Sequence, residues 1–272
     1  MNFGKMEFGS LKVNVLGSAG SYQSPTRQCS SYLVTSGEIR IVLDAGNGSF
    51  GNLLKVQDPF GISAVFISHR HHDHMVDLIS LYHFLKFVPN VTTARSKVPL
   101  FASKDTHEFI SHFATGSIFD IFERRVVEAG DIVEIGGVKA LFGAVNHVPG
   151  SLSISLTNQE GESLFYSGDT SYSDELADAI PDQSIILTEA TYLVHKSEVG
   201  SAIHMDGGDV ARLCRRSRAA GVIITHVAYP NDPQAVGELV VKNFSGTVEV
   251  ANDLDVYEIK SGKLRRLAPS ER

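Results

Sequence analysis

The stretch FISHRHHDHMVDL, residues 66–78, decides the reading of this sequence, because it sets four histidines and two aspartates at the end of an apolar run. His69 and His71 are two apart, so an extended segment leaving a strand points both rings the same way. Asp73 and His74 follow where the chain turns into a helix, and they can face a second point close to the first. His-x-His-x-Asp-His therefore offers ligands to two adjacent cations from one loop. Neutral imidazole and carboxylate suit zinc, manganese or iron. The competing reading, a solvated polar turn, fits poorly with four histidines packed just past a buried strand.

One loop cannot complete two coordination spheres, so partners must come from elsewhere in the chain. Short β-branched runs dominate the sequence: 11–17, 31–34, 39–46, 63–69, 138–147, 151–156, 164–169, 184–190 and 221–226. Helical periodicity intervenes after residue 74, at 104–114, near 173–180 and at 208–220, with Gly221 placed to end the last helix. The pattern is an α/β or α+β mixture in which helices cover sheets. No linker, low-complexity segment or long charge run marks a boundary, so one domain over 1–272 is expected.

A repeat nominates the missing ligands. SSYLVTSGEIRIVLDAG (30–46) runs strand, turn, strand and finishes on Asp44, and SLSISLTNQEGESLFYSGD (151–169) does the same and finishes on Asp169. Each half also carries a strand that ends in a hydroxyl residue and a histidine, FISH at 66–69 and IITH at 223–226. Two halves, about 11–137 and 138–262, would bring both Asp ends and both His ends to one pseudo-twofold axis. Unrelated β-hairpins also look alike, and that is the plainer explanation of the repeat. The nominated residues are His147, Asp169 and His226, all at the C-terminal end of apolar runs, where sites collect in layered α/β proteins.

Composition limits the function. Charged residues make up 20% and the formal charge is −7, which speaks against an extended nucleic-acid surface. Arg215, Arg216 and Arg218 are a local exception, read more simply as a solvated helix face than as a binding patch. No apolar run is long enough to span a bilayer and the N-terminus lacks a signal-type stretch, so no membrane association and a cytoplasmic location are expected. Cys29 and Cys214 lie far apart without metal-binding spacing, although two cysteines alone leave a disulfide open.

Taken together, these motifs resemble the metallo-β-lactamase superfamily, whose fold is a four-layer αββα sandwich of two similar halves. The resemblance covers roughly residues 11 to 259, with all five motifs in order. It implies that Asp44 in LDAG braces the metal loop, that His69, His71 and His147 hold one ion, and that Asp73, His74 and His226 hold the other. Asp169 would bridge the pair. His71 stands where the redox branch of the superfamily places a carboxylate, so hydrolysis is favoured. TEATY at 188–192 and HMDGGDVARL at 204–213 resemble segments of the ribonuclease Z-like branch, which implies a Glu189–His204 pair reaching a substrate phosphate. His204 could instead be a helix-cap or surface histidine.

Two departures separate the chain from tRNA-processing ribonuclease Z. Only a plain hairpin lies between His147 and Asp169, where that enzyme carries a long tRNA-gripping arm, and Asp77-Leu78 replaces its Gly-Leu pair. Asp77, with the later HMDGG form at 204–208, looks closer to small bacterial phosphodiesterases of the cyclic-nucleotide type, and the acidic net charge agrees with a small substrate. The expected function is hydrolysis of small phosphodiesters by hydroxide formed on two divalent ions, zinc first and manganese or iron as alternatives. Asp73 would orient the nucleophile and accept its proton, and His204, kept cationic by Glu189, would protonate the leaving oxygen. The Gly/Ser-rich loop 18–26 would border the pocket. Rival readings are a tRNA 3′-end endoribonuclease, a lactone or thioester hydrolase and a non-catalytic metal-binding protein. A homodimer is compatible with the sequence.

Overall fold

A computed structural model of the protein describes residues 9–89, 96–114, 116–194 and 203–271. The reading of the N-terminus as free of a signal rests partly on residues 1–8, which lie outside that range. Among the described residues no helix is long and apolar enough to cross a membrane.

Alternation of side chains along the strands builds the core. In β1 (Leu11–Gly17), Leu11, Val13 and Val15 face one way and Leu16 the other. In β3 (Ile39–Leu43) and β4 (Ala64–Phe66), Ile41, Leu43, Ala64 and Phe66 point inward while Val42 and Val65 point outward. The inward sets meet Phe142, Ile154, Leu156, Leu164, Tyr166 and Leu187 from a second sheet. The outer face of the first sheet is covered by α1 (Ser49–Val56), α3 (Leu78–Phe87) and α4 (Lys104–Phe113), through Leu53, Leu81 and Ile110. The outer face of the second is covered by α5 (Asp174–Ala179), α6 (Gly207–Arg216) and α7 (Pro233–Val241), through Leu176, Val210, Leu213 and Val236. Helix, sheet, sheet, helix is the four-layer arrangement that the motifs implied, and burying a strand on both faces explains the continuous apolar runs.

The remaining strands are β2 (Ser31–Ser36), β5 (Val98–Ala102), β6 (Phe122–Val126), β7 (Ile132–Ile135), β8 (Val138–Ala144), β9 (Leu152–Thr157), β10 (Ser163–Tyr166), β11 (Ile185–Glu189), β12 (Gly221–Thr225), β13 (Thr247–Val250), β14 (Val256–Lys260) and β15 (Lys263–Arg266). The first sheet runs β15-β14-β1-β2-β3-β4-β5-β6 and the second β13-β12-β11-β10-β9-β8-β7. The hairpins β2–β3 and β9–β10 occupy matching places, as the repeat suggested.

Two details of the repeat need correction. β4, which leads into His69, lies directly beside β3, but β12, which leads into His226, is separated from β10 by β11. The true counterpart of FISH is therefore the strand that ends in Glu189. The two aspartates are also offset: Asp44 is the first residue after β3, whereas Asp169 is the third after β10. That offset lets Asp169 reach further out than Asp44 does.

The last predicted helix also differs. It ends at Arg216, Arg218 takes the left-handed turn at φ 54°, and Gly221 opens β12. A Cβ on Gly221 would come within 3.0 Å of the Thr247 carbonyl oxygen, so strand packing explains the glycine better than helix termination does. The arginines nearby are paired on the surface: Arg216 with Asp174 and Asp178, and Arg218 with Asp182. Arg215 donates to the Asn243 carbonyl. Asp77 is structural, since its carboxylate accepts the Phe50 N–H at 2.9 Å and so caps α1, which has no side-chain cap of its own. Cys29 and Cys214 are both buried free thiols.

Candidate metal centre

The HxHxDH segment leaves β4 in extended form and becomes a single helical turn, α2 (His72–Met75), with His71 at its N-cap. Three of its four histidines turn inward. His72 is exposed and packs its ring edge-on against Phe109 and Phe113. The others meet side chains from the second sheet in two groups: His69, His71, His147 and Asp169, and Asp73, His74, Asp169 and His226. Within each group the potential ligand atoms lie within 4.8 Å of one another. All seven residues expected from the sequence therefore converge, and the only residue common to both groups is Asp169.

Asp169 turns one oxygen toward each group. Its Oδ1 is 3.2 Å from His74 Nε2 and 3.3 Å from His226 Nε2. Its Oδ2 is 3.8 Å from both His69 Nε2 and His147 Nε2. Gly168, at φ 57°, sets up this reach in a conformation a side chain would resist.

Every imidazole of the two groups but His71 is held from behind, His69 by Ser68 Oγ at 3.0 Å. Asp44 is fully buried, at φ 57°, and its carboxylate accepts from Ser68 N (2.7 Å), Ser68 Oγ (2.7 Å), His74 Nδ1 (2.7 Å) and Tyr166 OH (2.5 Å). A carboxylate can only accept, so His74 carries its proton on Nδ1 and turns Nε2 toward the cluster. His147 Nδ1 donates to the Ile203 carbonyl at 3.0 Å, which likewise frees its Nε2. Its Nε2 is 3.0 Å from His71 Nδ1.

His226 sits at φ 52°, an unusual conformation for a non-glycine residue that costs of order 1–3 kcal/mol and concentrates at functional sites. Its Nδ1 is 3.0 Å from Thr191 Oγ1, which itself donates to Glu189 Oε2 at 2.5 Å. The Thr191 hydroxyl proton is thereby taken, so His226 Nδ1 donates to it. The expected border loop approaches here, with Ser21 N 3.3 Å from His226 Nε2. A Cβ on Gly20 would fall 2.5 Å from the His226 carbonyl oxygen, so this approach needs a glycine.

The residues fit divalent cations. His69 Nε2 is a buried acceptor without a hydrogen-bond partner and faces the cluster, and Asp169 Oδ1 is met by the imidazole nitrogens of His74 and His226 at 3.2 and 3.3 Å. An orphaned buried acceptor is costly unless something positive binds it. Electrostatics agrees. Burial, helped by neighbouring histidine charge, lowers His69 well below the usual imidazole range, and burial also lowers His71 and His147. All three are therefore neutral, as ligation requires. Burial would raise the Asp169 carboxyl, but His226 and His74 hold it well below the usual range. Burial would lower His74, yet Asp169, Asp73 and Asp44 outweigh it and raise His74 well above the usual range. A proton is thus the positive charge that competes with a cation for the second group.

Glu189, His204 and His226 form a third convergence, but one already satisfied. The Glu189 carboxylate, buried at the end of β11, accepts from Thr170 N (2.6 Å), Thr191 N (3.3 Å), Thr191 Oγ1 and Met205 N (3.3 Å). His204 Nδ1 is 3.0 Å from Glu189 Oε1 and 3.9 Å from Asp169 Oδ2. Burial would lower His204, but the charge and hydrogen bond of Glu189 raise it to about 9. This pair is a held imidazolium beside the two cation groups. Thr191, Tyr166 and Ser68 were not found from the sequence. They act by hydrogen bonds across the fold, and no local pattern announces that.

The family described as Beta-lactamase superfamily domain matches residues 39–227. An uncharacterised protein of Mycobacterium leprae (strain TN) is 27% identical over 261 residues, which cover 93% of this chain and 90% of that protein. A ribonuclease Z of Halobacterium salinarum is 22% identical over 309 residues, covering 92% and 98% respectively. The solved structure of YhfI from Bacillus subtilis, a metallo-beta-lactamase fold protein, aligns with a TM-score of 0.83 at 20% identity, covering 92% of this chain and 99% of that one. At that identity the likeness speaks for the fold alone.

Proposed function

Because the chain belongs to the beta-lactamase superfamily domain family, we propose that it is a dinuclear metal-dependent phosphodiesterase acting on small phosphodiesters such as cyclic nucleotides. The observation that carries this reading is the Glu189–His204 pair, an imidazolium held 3.0 Å from its carboxylate and abutting Asp169 without belonging to either cation group. A lactone or thioester hydrolase develops charge on one carbonyl oxygen, which the two cation groups can already face. A phosphoryl transition state spreads negative charge over three oxygens and so gains more from a further fixed cation beside them.

His69, His71, His147 and Asp169 would hold one ion, and Asp73, His74, Asp169 and His226 the other. Two divalent ions, zinc by donor type or else manganese or iron, supply Lewis-acid activation of water and neutralise phosphoryl charge. The protein's own groups do the rest. Burial would raise the Asp73 carboxyl, but the charge on His74 and the contact with His226 keep it ionised, so its Oδ2 can orient water and accept a proton. Asp44 and Thr191 fix the tautomers of His74 and His226. His204 Nδ1 is engaged by Glu189, so Nε2 is the atom that would donate to the leaving oxygen.

Small substrates are favoured over tRNA by two features. The segment between His147 and Asp169 is a plain hairpin, β9 and β10 in direct register. The alignment with ribonuclease Z is 309 positions long, more than the 272 residues of this chain, so that enzyme carries segments without a counterpart here. The test is to assay zinc- or manganese-loaded protein on bis-p-nitrophenyl phosphate, 2′,3′- and 3′,5′-cyclic nucleotides, pre-tRNA, a lactone and a thioester. Turnover of the small diesters is expected. Efficient pre-tRNA cleavage with idle small diesters would overturn the substrate reading, and turnover of only the lactone or thioester would overturn the phosphodiesterase.

A further inference from the structure

Beside the metal centre lies a cavity of about 330 Å³, formed by residues 24–27 on one wall and Val227, Tyr229 and Asn231 on the other. It shares its partition with the centre. The strand-like pairing of Ala19 with Val227 and the Gly20 N–H to Val227 carbonyl bond fasten loop 18–26 along the residues after His226. Along this shared wall Ser21 N meets His226 Nε2 and the Tyr22 hydroxyl donates to the Tyr229 carbonyl. The cavity wall thus begins at Val227, the residue that follows His226.

The walls are preset and chemically distinctive. Tyr229 is 55% exposed and lines the cavity. Asn231 is fixed by bonds to the Ala228 carbonyl (2.8 Å) and the Thr191 carbonyl (3.4 Å), so its wall keeps its shape. The single cation, Arg27, is bonded to Asn252 Oδ1 at 2.9 Å and faces the charges of Asp253, Asp232 and Asp255. One guanidinium among three carboxylates leaves no net positive field for a second phosphate. An aromatic face, hydroxyl groups from Ser24 and Thr26, and a volume at the lower end of small-molecule pockets suit a flat, uncharged, polar-edged ring.

We propose that this cavity is the nucleobase subsite: the substrate is a nucleoside phosphodiester whose base stacks on Tyr229. The proposal rests on the phosphodiesterase reading for its substrate class, and on the cavity alone for its ligand.

Two measurements separate them. The first compares adenosine 5′-(p-nitrophenyl phosphate) with methyl p-nitrophenyl phosphate, which share a leaving group and differ in the nucleoside. Their kcat/KM ratio in wild-type protein should favour the nucleotide, should fall about tenfold or more in Tyr229→Ala, and should persist in Tyr229→Phe, which keeps the stacking face. The second is calorimetric binding of adenosine, which requires no turnover, with weakening of the same size in Tyr229→Ala. Saturable adenosine binding without hydrolysis of either diester would refute the phosphodiesterase and leave the subsite standing. A wild-type protein that binds no adenosine and shows no nucleoside preference, or a Tyr229→Ala variant that retains both, overturns the subsite.

Discussion

Replacing Asp44 by Asn tests how the second cation group is held. The backbone there has φ 57°, which Asn adopts as readily as Asp, so the substitution changes hydrogen bonding and little else. The carboxylate accepts four bonds, with Ser68 N on Oδ1 and Ser68 Oγ, His74 Nδ1 and Tyr166 OH on Oδ2. An amide has one oxygen. If that oxygen stays with Ser68 N, the NH₂ faces His74 Nδ1, and the conflict is relieved when His74 moves its proton to Nε2. That nitrogen is the one turned toward Asp73 and Asp169. Loss of a partner behind a metal-binding imidazole costs roughly 10–100-fold in affinity, which is about 1.4–2.7 kcal/mol. Losing charge-assisted bonds should also lower folding stability by about 1.5–3 kcal/mol. Zinc titration against a chelator should show one of two ions weakened by that factor, and urea unfolding should report the stability loss. Two ions bound with wild-type affinity would refute the tautomer argument.

Other outcomes follow from the same geometry. Protein loaded with transition metal and desalted should retain two ions per chain, and His71→Ala should lose metal and activity without unfolding, with elemental analysis and circular dichroism as the checks. His204→Ala should keep both ions while kcat falls by roughly 10²–10⁴-fold, and more for an alkoxide leaving group than for p-nitrophenolate; Glu189→Gln should follow the same pattern more mildly. In metal-free protein the His204 pKa is raised to about 9, above its unfolded value of about 6.5. Its stabilising contribution is therefore fully present below pH 6.5 and lost as pH rises through 9, which denaturant melts of wild type and His204→Ala across that window should reveal.

The sequence showed the centre better than the frame around it. HxHxDH is a local pattern, and His147, Asp169 and His226 each close an apolar run, so seven positions could be named without coordinates. Most strands buried on both faces were equally visible, although β5, with Phe101 on one face and Leu100 on the other, was passed over, as were β7, β13 and β14. β6 and β15 were not visible, because FERRV and KLRR carry charge on edges where one side meets solvent. α1 was hidden because SFGNLLKV contains a glycine and draws its cap from Asp77, 27 residues away. The counterpart of FISH was misplaced for a similar reason: a sequence shows what ends a strand, whereas sheet order decides which strand stands beside which. Tyr166 illustrates the limit. Within β10 it reads as one more inward aromatic, and only the packing of two sheets brings its hydroxyl to Asp44.

Because Asp169 and His226 come from the second sheet and His69 to His74 from the first, neither sheet holds a complete set of ligands. Ions at this site would bind the docked sandwich and not its separated layers, acting as rivets across the seam. By mass action, each ion at a free concentration one hundred times its dissociation constant would add about 2.7 kcal/mol to the folded state. Metal supply would then govern the lifetime of the protein as well as its chemistry, and a cell short of metal would lose the enzyme to its proteases along with the activity.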